Sequence, residues 1–470
     1  MYIKLPLLDI KPEAPFENDA LKRKESSDFL TQFISKLEEP YVIAVDSCWG
    51  SGKSTFLKMW RYSLLQNGFF TIQFNAWETD FKDDALVALI KEIEIGLNGF
   101  NINSKQKDKT RKLLKKVKEN AYKLAKKAIP AFVKIATQGV IDLNQGTEET
   151  LSSIAEDLVK EQFDEYEKTK ESLANFKTSL EEFATELKSD NKGPLIFIID
   201  ELDRCRPDYA IQVLERAKHL FSINNIVFVL GIDMKQIGHS IKSVYGQGMD
   251  VRGYLDRFID LDYHLPEPDI ETFVRATLKR HQLDQWFSER KKQSEFHDDY
   301  PTMEQVLIQW FSELNLSLRT IEQIISQIII VLYTTAENQH FFPGLLCFLS
   351  ILRKIDIDTY NKIREKSMAP ENVLKNIQKH THSNFLDDNH YGAWITAHLE
   401  IGMTFKKRQA KRYDPIGKYS KTYESEKSSS EEKDRAKLII DIIRSIGNNH
   451  YRLDVVDFLI KKIEISSQFK

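Results

Sequence analysis

A short glycine-rich stretch, DSCWGSGKST at residues 46–55, contains the residue types that a phosphate-binding loop needs. Gly50 and Gly52 let backbone N–H groups turn toward phosphate oxygens. Lys53 can reach the terminal phosphates, and the hydroxyl of Ser54 can bind magnesium. The alternative is a glycine-rich turn between a strand and a helix with a solvated lysine. We predict a nucleotide site formed by Ser47, Cys48, Trp49, Gly50, Ser51, Gly52, Lys53, Ser54 and Thr55.

One position departs from the usual phosphate-loop pattern. The pattern G-x-x-x-x-G-K-[ST] has a glycine where this chain has Ser47. That first glycine serves the turn out of the strand more than the phosphate contact. A serine is therefore tolerable if its φ angle stays negative. We expect the consensus to be weakened here but still able to bind phosphate.

A second stretch, LIFIIDELDRC at residues 195–205, ends an apolar run with acidic residues. Asp200 would lie at the end of a buried strand, where a carboxylate can hold the magnesium shell. Glu201 is our candidate for the residue that polarises the attacking water, with Asp203 as a lesser candidate for the same role. Alternatively, these acids simply cap the next element. The pair favours nucleotide hydrolysis over phosphoryl transfer to another acceptor.

The elements that would position these residues alternate as in a parallel α/β sheet. A helix is expected within residues 19–39 and another directly after the glycine-rich loop. Continuous apolar runs typical of buried strands separate the helical patterns. The four predicted strands are YVIAV, FFTIQFNAW, PLIFIID and NIVFVLGID. The fold class that this pattern indicates is α/β, a P-loop NTPase parallel sheet with a helical insertion and a C-terminal all-α domain.

The insertion, at residues 96–190, is divided into two halves of opposite charge. Residues 101–128 hold eleven Lys or Arg and two acids, a net charge of +9, whereas residues 147–190 hold thirteen acids and five lysines, a net charge of -8. One interpretation is a helical hairpin whose halves attract each other. The others are a basic surface for nucleic acid or an acidic membrane along Lys105–Lys127, or a protein-docking arm. Its most apolar segment, residues 128–141, is too short to span a bilayer.

The domain boundaries follow from these patterns. We expect residues 1–95 and 191–270 to form the two parts of the P-loop NTPase domain, with the charged helical insertion between them. Residues 271–470 read as a helical lid and a C-terminal helical domain. Within this part, residues 405–434 lack an apolar stripe and are expected to be a mobile loop.

Composition excludes some classes of protein. The chain has 470 residues, a net charge of -3 and 29% charged residues, so its overall charge favours neither nucleic acid nor membrane. Its three cysteines are too few and too scattered for a disulfide framework, which suits a reducing cytoplasm. No run of about 18 apolar residues is present, so we expect no membrane span and a cytoplasmic protein.

Five stretches, in order, carry a family resemblance: DSCWGSGKST, FNAWE, FIIDELDRCRPD, FVLGIDMKQIGHSI and YLDRFIDLDYHLPEP. They resemble the KAP family of P-loop NTPases, distant relatives of AAA-type and STAND ATPases, over residues 15–270. The resemblance implies an ATPase that binds ATP and Mg²⁺, with an insertion that often holds membrane helices. This chain departs in its soluble insertion, in Ser47, and in the pair Asp200 and Glu201, where many relatives have two aspartates.

The resemblance also implies roles for residues outside the two phosphate motifs. Asn75 and Asp233 would sense the terminal phosphate, unless they are ordinary caps at strand ends. Asp19 and Arg23 would line the adenine pocket, unless they form a surface salt bridge. The remaining roles are Trp49 and Trp77 packing around the loop, Arg257 as an arginine finger across an oligomer interface, and Arg319 as a sensor in the helical lid. Both arginines could instead be solvated or ion-paired.

These features leave three hypotheses about function. The first is an oligomeric ATP-driven switch or motor with a protein effector, acting in bacterial anti-phage defence, as the resemblance implies for some soluble relatives. The second is a nucleotide-gated scaffold that recruits a partner with little turnover. The third is a nucleic-acid-stimulated ATPase that uses the Lys105–Lys127 run, whose binding should weaken steeply with salt.

Overall fold

The chain is described here as a computed structural model. The structure describes residues 8–81, 85–98, 108–128, 148–189, 193–290, 296–336, 339–382, 386, 390–407, 414–448 and 454–466. It divides into two compact units, a first unit at Asp9–Glu267 and a second unit at Pro268–Lys470. The predicted phosphate loop and acid pair both belong to the first unit.

The first unit contains a five-stranded parallel sheet, as the alternating pattern predicts. The strand order is β2-β3-β4-β1-β5. The strands are β1 (Tyr41–Asp46), β2 (Thr71–Asn75), β3 (Leu195–Asp200), β4 (Ile226–Ile232) and β5 (Leu261–His264). The four predicted strands are confirmed, whereas the edge strand β5 was missed because its four residues, LDYH, carry no continuous apolar run.

Helices cover both faces of the sheet. They are α1 (Lys24–Ser35), α2 (Lys53–Gln66), α3 (Ala76–Thr79), α4 (Ala85–Asn98), α5 (Asp108–Ala128), α6 (Glu148–Ser189), α7 (Pro207–Phe221), α8 (Met234–Tyr245) and α9 (Val251–Leu255), with a 3-10 turn at Leu202–Arg204. Successive strand residues point to opposite faces. Ile43 and Val45 therefore join the buried cluster of α1 and α2, whereas Val42 and Ala44 join that of α4 and α7. This two-sided burial fixes the register of the strands.

The described part of the insertion is a pair of packed helices, as the first interpretation of its charge predicts. The side chains of α5 that face α6 are apolar, and Val117 and Phe176 are fully buried. Ion pairs cross between the helices, with 2.7 Å between Lys116 Nζ and a carboxylate oxygen of Glu182. The basic half and the acidic half therefore neutralise part of each other's charge. Residues 129–141 of the apolar segment, and Lys105 and Lys107, lie outside the described residues.

The second unit is helical over its described residues. Its helices are α10 (Ile270–Arg280), α11 (Leu283–Arg290), α12 (Asp299–Glu313), α13 (Leu318–Tyr333), α14 (Pro343–Ile355), α15 (Ile357–Arg364), α16 (Pro370–Gln378), α17 (His390–Lys407), α18 (Pro415–Glu424), α19 (Ser430–Asn448) and α20 (Val455–Ser466). Of the described part of the chain, no helix combines the length and apolar character needed to cross a membrane.

The loop predicted for residues 405–434 is wrong where the structure describes that segment. Helix α18 lies within it, capped by the side chain of Asp414, and α19 begins at Ser430. Apolar packing of Ile416 and Tyr419 and polar contacts together hold α18 in place. Lys418 Nζ donates to Glu400 at 2.7 Å, and the buried hydroxyl of Tyr419 donates to the same carboxylate at 3.0 Å. The apolar positions of this short helix are few, so a search for apolar periodicity did not detect it.

Candidate functional site

The carboxyl ends of four parallel strands align at one edge of the sheet. Asn75 ends β2 in register with Asp200 of β3, and Asp200 in turn lies opposite Gly231 of β4. Asp46 ends β1 opposite Ile232. Loops at the carboxyl edge of such a sheet form the usual ligand crevice. The predicted loop and acids, which lie about 150 residues apart in sequence, therefore meet at one place.

The glycine-rich loop turns from the end of β1 into the first turn of α2. Gly50 and Gly52 have φ angles of 78° and 86°, in the left-handed region that favours glycine. Helix α2 begins at Lys53, with Ser54 and Thr55 also on its first turn. The N-terminal end of a helix carries partial positive charge and free N–H groups. The geometry is therefore that of an anion site.

Ser47 occupies the position of the missing first glycine without backbone strain. Its φ angle is outside the left-handed region, as the sequence argument requires. Its backbone N–H donates to Ile232 at 3.3 Å, and its hydroxyl contacts that of Ser51. The next residue, Cys48, has an exposed free thiol. Its backbone carbonyl accepts the N–H of Ser51 at 3.2 Å. Serine therefore shapes the turn that glycine would otherwise shape.

Lys53 is buried, and its ammonium group lies between two oxygens. Nζ is 3.2 Å from the carbonyl oxygen of Ser47 and 3.2 Å from Oδ2 of Asp203. The same Oδ2 accepts the indole N–H of Trp49 at 2.6 Å. The side chain of Trp49 itself is about half exposed. Asp203, expected to have a lesser role near the water, thus contacts the lysine and the loop.

The carboxylate of Glu201 is held by three side chains. It accepts the Ser54 hydroxyl at 3.4 Å and the Asn75 amide at 3.4 Å, and it pairs with Arg204 at 2.9 Å. Its backbone has φ 60°, a conformation that is uncommon for a residue other than glycine. Such outliers often mark functional positions, because the surrounding structure has to stabilise them. The guanidinium of Arg204 also lies 5.9 Å from the ring of Trp77.

Asp200 is a buried carboxylate at the end of β3. Burial raises its pKa to about 6, while the neighbouring hydroxyl of Ser54 and the backbone N–H of Glu201 act in the opposite direction. A bound cation would favour the ionised form. The hydroxyl of Ser54 and the carboxylate of Asp200 are both hard oxygen donors, the type that Mg²⁺ prefers. These residues therefore fit a magnesium ion shared with phosphate oxygens.

Asn75 and Asp233 cap helices and also contact the acid pair or the loop. The Oδ1 of Asn75 accepts the N–H groups of Trp77 and Glu78 at the start of α3. The Oδ1 of Asp233 does the same for α8, and its Oδ2 accepts the backbone N–H of Trp49 at 2.9 Å. The two interpretations from sequence, cap and site residue, are thus compatible. Each residue uses a second polar atom to contact the acid pair or the loop.

Arg23 is buried at the start of α1, not part of a surface salt bridge. It is 3% exposed, and burial lowers its pKa to about 10. Its Nη2 donates to the carbonyl of Pro266 at 3.4 Å, whereas its Nε and Nη1 have no hydrogen-bond partner among the described residues. Asp19 accepts the backbone N–H groups of Leu21 and Lys24 and so shapes the turn before the helix.

The sequence comparison assigns the family. A model described as the KAP family P-loop domain matches residues 23–335, which is more than half of the chain. The chain belongs to the KAP family. The family model spans both phosphate motifs and the insertion of this KAP chain, in agreement with the P-loop sheet described above. No curated protein matches the chain.

Solved structures that are similar to this KAP chain include the following three. A DNA replication initiation factor matches at 12% identity and a TM-score of 0.31, with 97% of this chain and 98% of that chain covered. The Aeropyrum pernix ORC2 protein, in ADPNP-ADP complexes, matches at 12% identity and 0.28, over 95% and 94%. Cdc6p from Pyrobaculum aerophilum matches at 13% identity and 0.28, over 96% and 95%. At these scores the likeness carries no argument about the site.

Three aromatic or basic residues that the KAP resemblance singled out are exposed side chains. Trp77 is about half exposed on α3. Arg257 is exposed between α9 and β5, and Arg319 is exposed on the first turn of α13 in the second unit. The role of each arginine in this KAP protein therefore stays a prediction.

Two residues of the KAP site were missed from the sequence. Arg204 pairs with Glu201 across one short turn, and its position three residues after the acid was the available signal. Asp46, at the end of β1, accepts the backbone N–H of Met234 at 2.9 Å and lies 2.9 Å from the ring of His264. The ends of β1 and β5, and with them Asp46 and His264, are seen to be neighbours only when the strand order is known.

Proposed function

We propose that this KAP-family chain binds Mg²⁺ and ATP at the glycine-rich loop and hydrolyses the terminal phosphate bond. The observation that carries the proposal is the convergence of Lys53, Ser54, Asp200 and Glu201 at one edge of the sheet. Backbone N–H groups of the loop and the start of α2 favour the phosphates electrostatically. Lys53 supplies a positive charge for the terminal phosphates, where charge changes during hydrolysis.

Ser54 and Asp200 would hold the magnesium ion. When bound, the ion would neutralise charge on the phosphate oxygens and orient them. Glu201 would orient and polarise the attacking water, since its carboxylate lies beside Ser54 and is directed by Asn75 and Arg204. Asp233 and Asn75, both tied to neighbouring helices, would report the presence of the terminal phosphate to α8 and α3.

Arg23 and Asp19 would form the base end of the site. The buried guanidinium of Arg23 has two N–H groups without hydrogen-bond partners among the described residues, and such groups are costly to leave unpaired. Acceptor atoms on the edge of a purine ring could satisfy them. This is the feature that favours ATP binding over binding of phosphate alone.

The biological role that we propose is an oligomeric, cytoplasmic switch that works with a protein effector in bacterial anti-phage defence. Arg257 would act as an arginine finger between subunits, and Arg319 would act as a sensor in the helical lid. The support is the exposure of both arginines together with the family membership. An ATP-gated scaffold with little turnover is the alternative, because the carboxylate of Glu201 is already engaged by Arg204.

A nucleic-acid-stimulated ATPase is a further candidate, favoured by the exposed lysines of α5. Lys112 and Lys123 are exposed, although other lysines pair with acids of α6 or α5. ATP hydrolysis should then rise when DNA or RNA is added, and binding should weaken steeply as salt is raised. If added DNA or RNA leaves ATP hydrolysis unchanged and binding does not depend on salt, this candidate is excluded.

The first test is ATP binding by calorimetry and phosphate release with Mg²⁺ in the wild type and in Lys53→Ala. Loss of a charged hydrogen bond to phosphate should weaken ATP binding about 10- to 100-fold. Lys58→Ala, an exposed lysine on the same helix, is the matched control and should bind ATP as the wild type does. Equal ATP affinity in all three proteins would contradict the proposed site.

A further inference from the structure

One carboxylate oxygen in the first unit accepts three hydrogen bonds from three separate parts of the chain. Oδ2 of Asp203 receives Nζ of Lys53 at 3.2 Å, the indole N–H of Trp49 at 2.6 Å and the backbone N–H of Asp233 at 3.0 Å. The side chain of Asp203 is 2% exposed. A buried carboxylate is stable only when it is paired and hydrogen-bonded in this way.

The three donors surround the phosphate loop. Trp49 lies within the loop, Lys53 begins α2, and Asp233 follows β4, where its own carboxylate accepts the N–H of Trp49. Asp203 thus fixes the lysine, the loop and the end of β4 from one point. Asp203 itself is fixed by the short turn at Leu202–Arg204, directly after the acid pair.

The contact with Lys53 has an electrostatic consequence. An ammonium group has three N–H donors, and here two of them are directed at Ser47 and Asp203. The carboxylate neutralises the charge that a phosphate would use. It also places a negative charge next to the position where phosphate oxygens would bind. Two neighbouring negative charges repel each other in a buried site.

We propose that Asp203 is a positioning residue that competes with nucleotide phosphate for Lys53 and so lowers the affinity of the loop for ATP. This inference rests on the proposed function. Binding of a triphosphate exchanges the Asp203 carboxylate for a phosphate on Lys53, while Trp49 and Asp233 keep Asp203 hydrogen-bonded. The released carboxylate therefore does not become an unpaired buried charge, and the exchange can be reversed when the nucleotide leaves.

The test is Asp203→Asn, because asparagine keeps an acceptor oxygen for the indole and the backbone N–H but carries no charge. ATP should bind about 10-fold more tightly than in the wild type, a size expected for removing one nearby buried negative charge. Asp208→Asn, an exposed aspartate five residues later, is the matched control and should leave ATP affinity unchanged. Unchanged ATP affinity with a large loss of turnover in Asp203→Asn would overturn the proposal and identify Asp203 as a catalytic residue.

A second measurement needs no nucleotide. A double-mutant cycle with Lys53→Met and Asp203→Asn, read by urea unfolding, should give a coupling of about 10-fold in the unfolding equilibrium constant. Additive effects would overturn the ion pair on which the proposal rests. If both wild type and Asp203→Asn bind no ATP, the proposed function fails and the competition fails with it. If both bind ATP equally, only the role of Asp203 is wrong.

A third measurement keeps the proposal testable if Asp203→Asn does not fold. Binding of ATP to the wild type should change the fluorescence of Trp49, because Asp203 then bonds to the indole without sharing its oxygen with Lys53. The difference between wild type and Trp49→Phe isolates this signal from the other tryptophans. A saturating ATP titration that leaves this difference unchanged would overturn the proposal.

Discussion

The side-chain amide of Asn75 donates a hydrogen bond to the carboxylate of Glu201, with 3.4 Å between Nδ2 and Oε2. The contact follows from the sheet, because Asn75 ends β2 in register with the last residue of β3, next to Glu201. The oxygen of the same amide, Oδ1 of Asn75, caps α3. One side chain therefore connects the proposed catalytic acid to the helix that carries Trp77.

Replacing Asn75 by Asp should separate these two functions. Aspartate keeps the cap oxygen but loses the amide that directs Glu201, so we expect ATP turnover to fall about 10-fold while thermal stability stays close to that of the wild type. Asn75→Ala should lose turnover and also about 1 kcal/mol of stability, since the cap is removed. Phosphate release and thermal melting measure the two effects. Normal turnover in Asn75→Asp would show that the amide does not direct Glu201.

Arg23→Met should affect the base end of the site and not the phosphate end. A methionine fills similar volume but offers no N–H group to a purine, so ATP binding should weaken about 10-fold. Binding of inorganic tripolyphosphate should be unchanged, and both affinities are measurable by calorimetry. Lys24→Met, an exposed neighbour, is the control. Equal weakening of both ligands would instead place Arg23 near the phosphates.

Ser47→Gly should have little effect on nucleotide binding. Ser47 lies outside the left-handed region, so the site does not need glycine there, and ATP affinity and turnover should stay within about twofold of the wild type. Stability should fall by about 0.5–1 kcal/mol, because glycine gives the unfolded chain more freedom. Gly52→Ala, at φ 86°, is the contrasting variant and should weaken ATP binding. A marked gain in turnover from Ser47→Gly would show that serine slows the site.

The features that could be predicted from the sequence are those that depend on a short, local pattern of residues. The loop and the acid pair are encoded by residue types at fixed spacing, so Lys53, Ser54, Asp200 and Glu201 could be placed before the structure was known. The strands around them are long apolar runs. Such local patterns carry enough information for four of the five strands and for the edge where the loop and the acids meet.

The features that were missed depend on contacts between distant segments. Strand β5 has no apolar run, and its place beside β1 is visible only in three dimensions. The burial of Arg23 likewise depends on the carbonyl of Pro266, 243 residues away in sequence. The contact of Asp203 with Lys53 spans 150 residues. The sequence of a short motif does not indicate which of several polar groups a charged residue such as Asp203 will contact in the fold.

We expect His398 to make the stability of the second unit depend on pH. It is buried on α17, where burial lowers its pKa to about 4 and Nδ1 donates to the carbonyl oxygen of Trp394 at 2.9 Å. The pKa of His398 in the folded state lies below its value of about 6.5 in the unfolded state. The contribution of neutral His398 to stability is therefore fully present above about pH 6.5 and is lost as the pH falls toward 4. The free energy of unfolding should drop by about 2 kcal/mol between pH 7 and pH 5 from this group alone.

The measurement is urea unfolding of the wild type and His398→Gln across this pH range. The variant should lose most of this pH dependence, since glutamine does not titrate. His382→Gln, an exposed histidine in the same unit, is the control variant. Identical pH profiles for wild type and His398→Gln would show that His398 is not responsible.

Glu201→Gln tests the central claim most directly. Glutamine has nearly the same shape and keeps an oxygen for the Ser54 hydroxyl, but it cannot act as a base. The measurement is single-turnover hydrolysis of bound ATP with Mg²⁺, alongside the ATP dissociation constant, with Glu215→Gln on α7 as a control. The account predicts ATP affinity close to that of the wild type and a hydrolysis rate reduced about 100-fold or more. Unchanged hydrolysis by Glu201→Gln with normal ATP binding would contradict it.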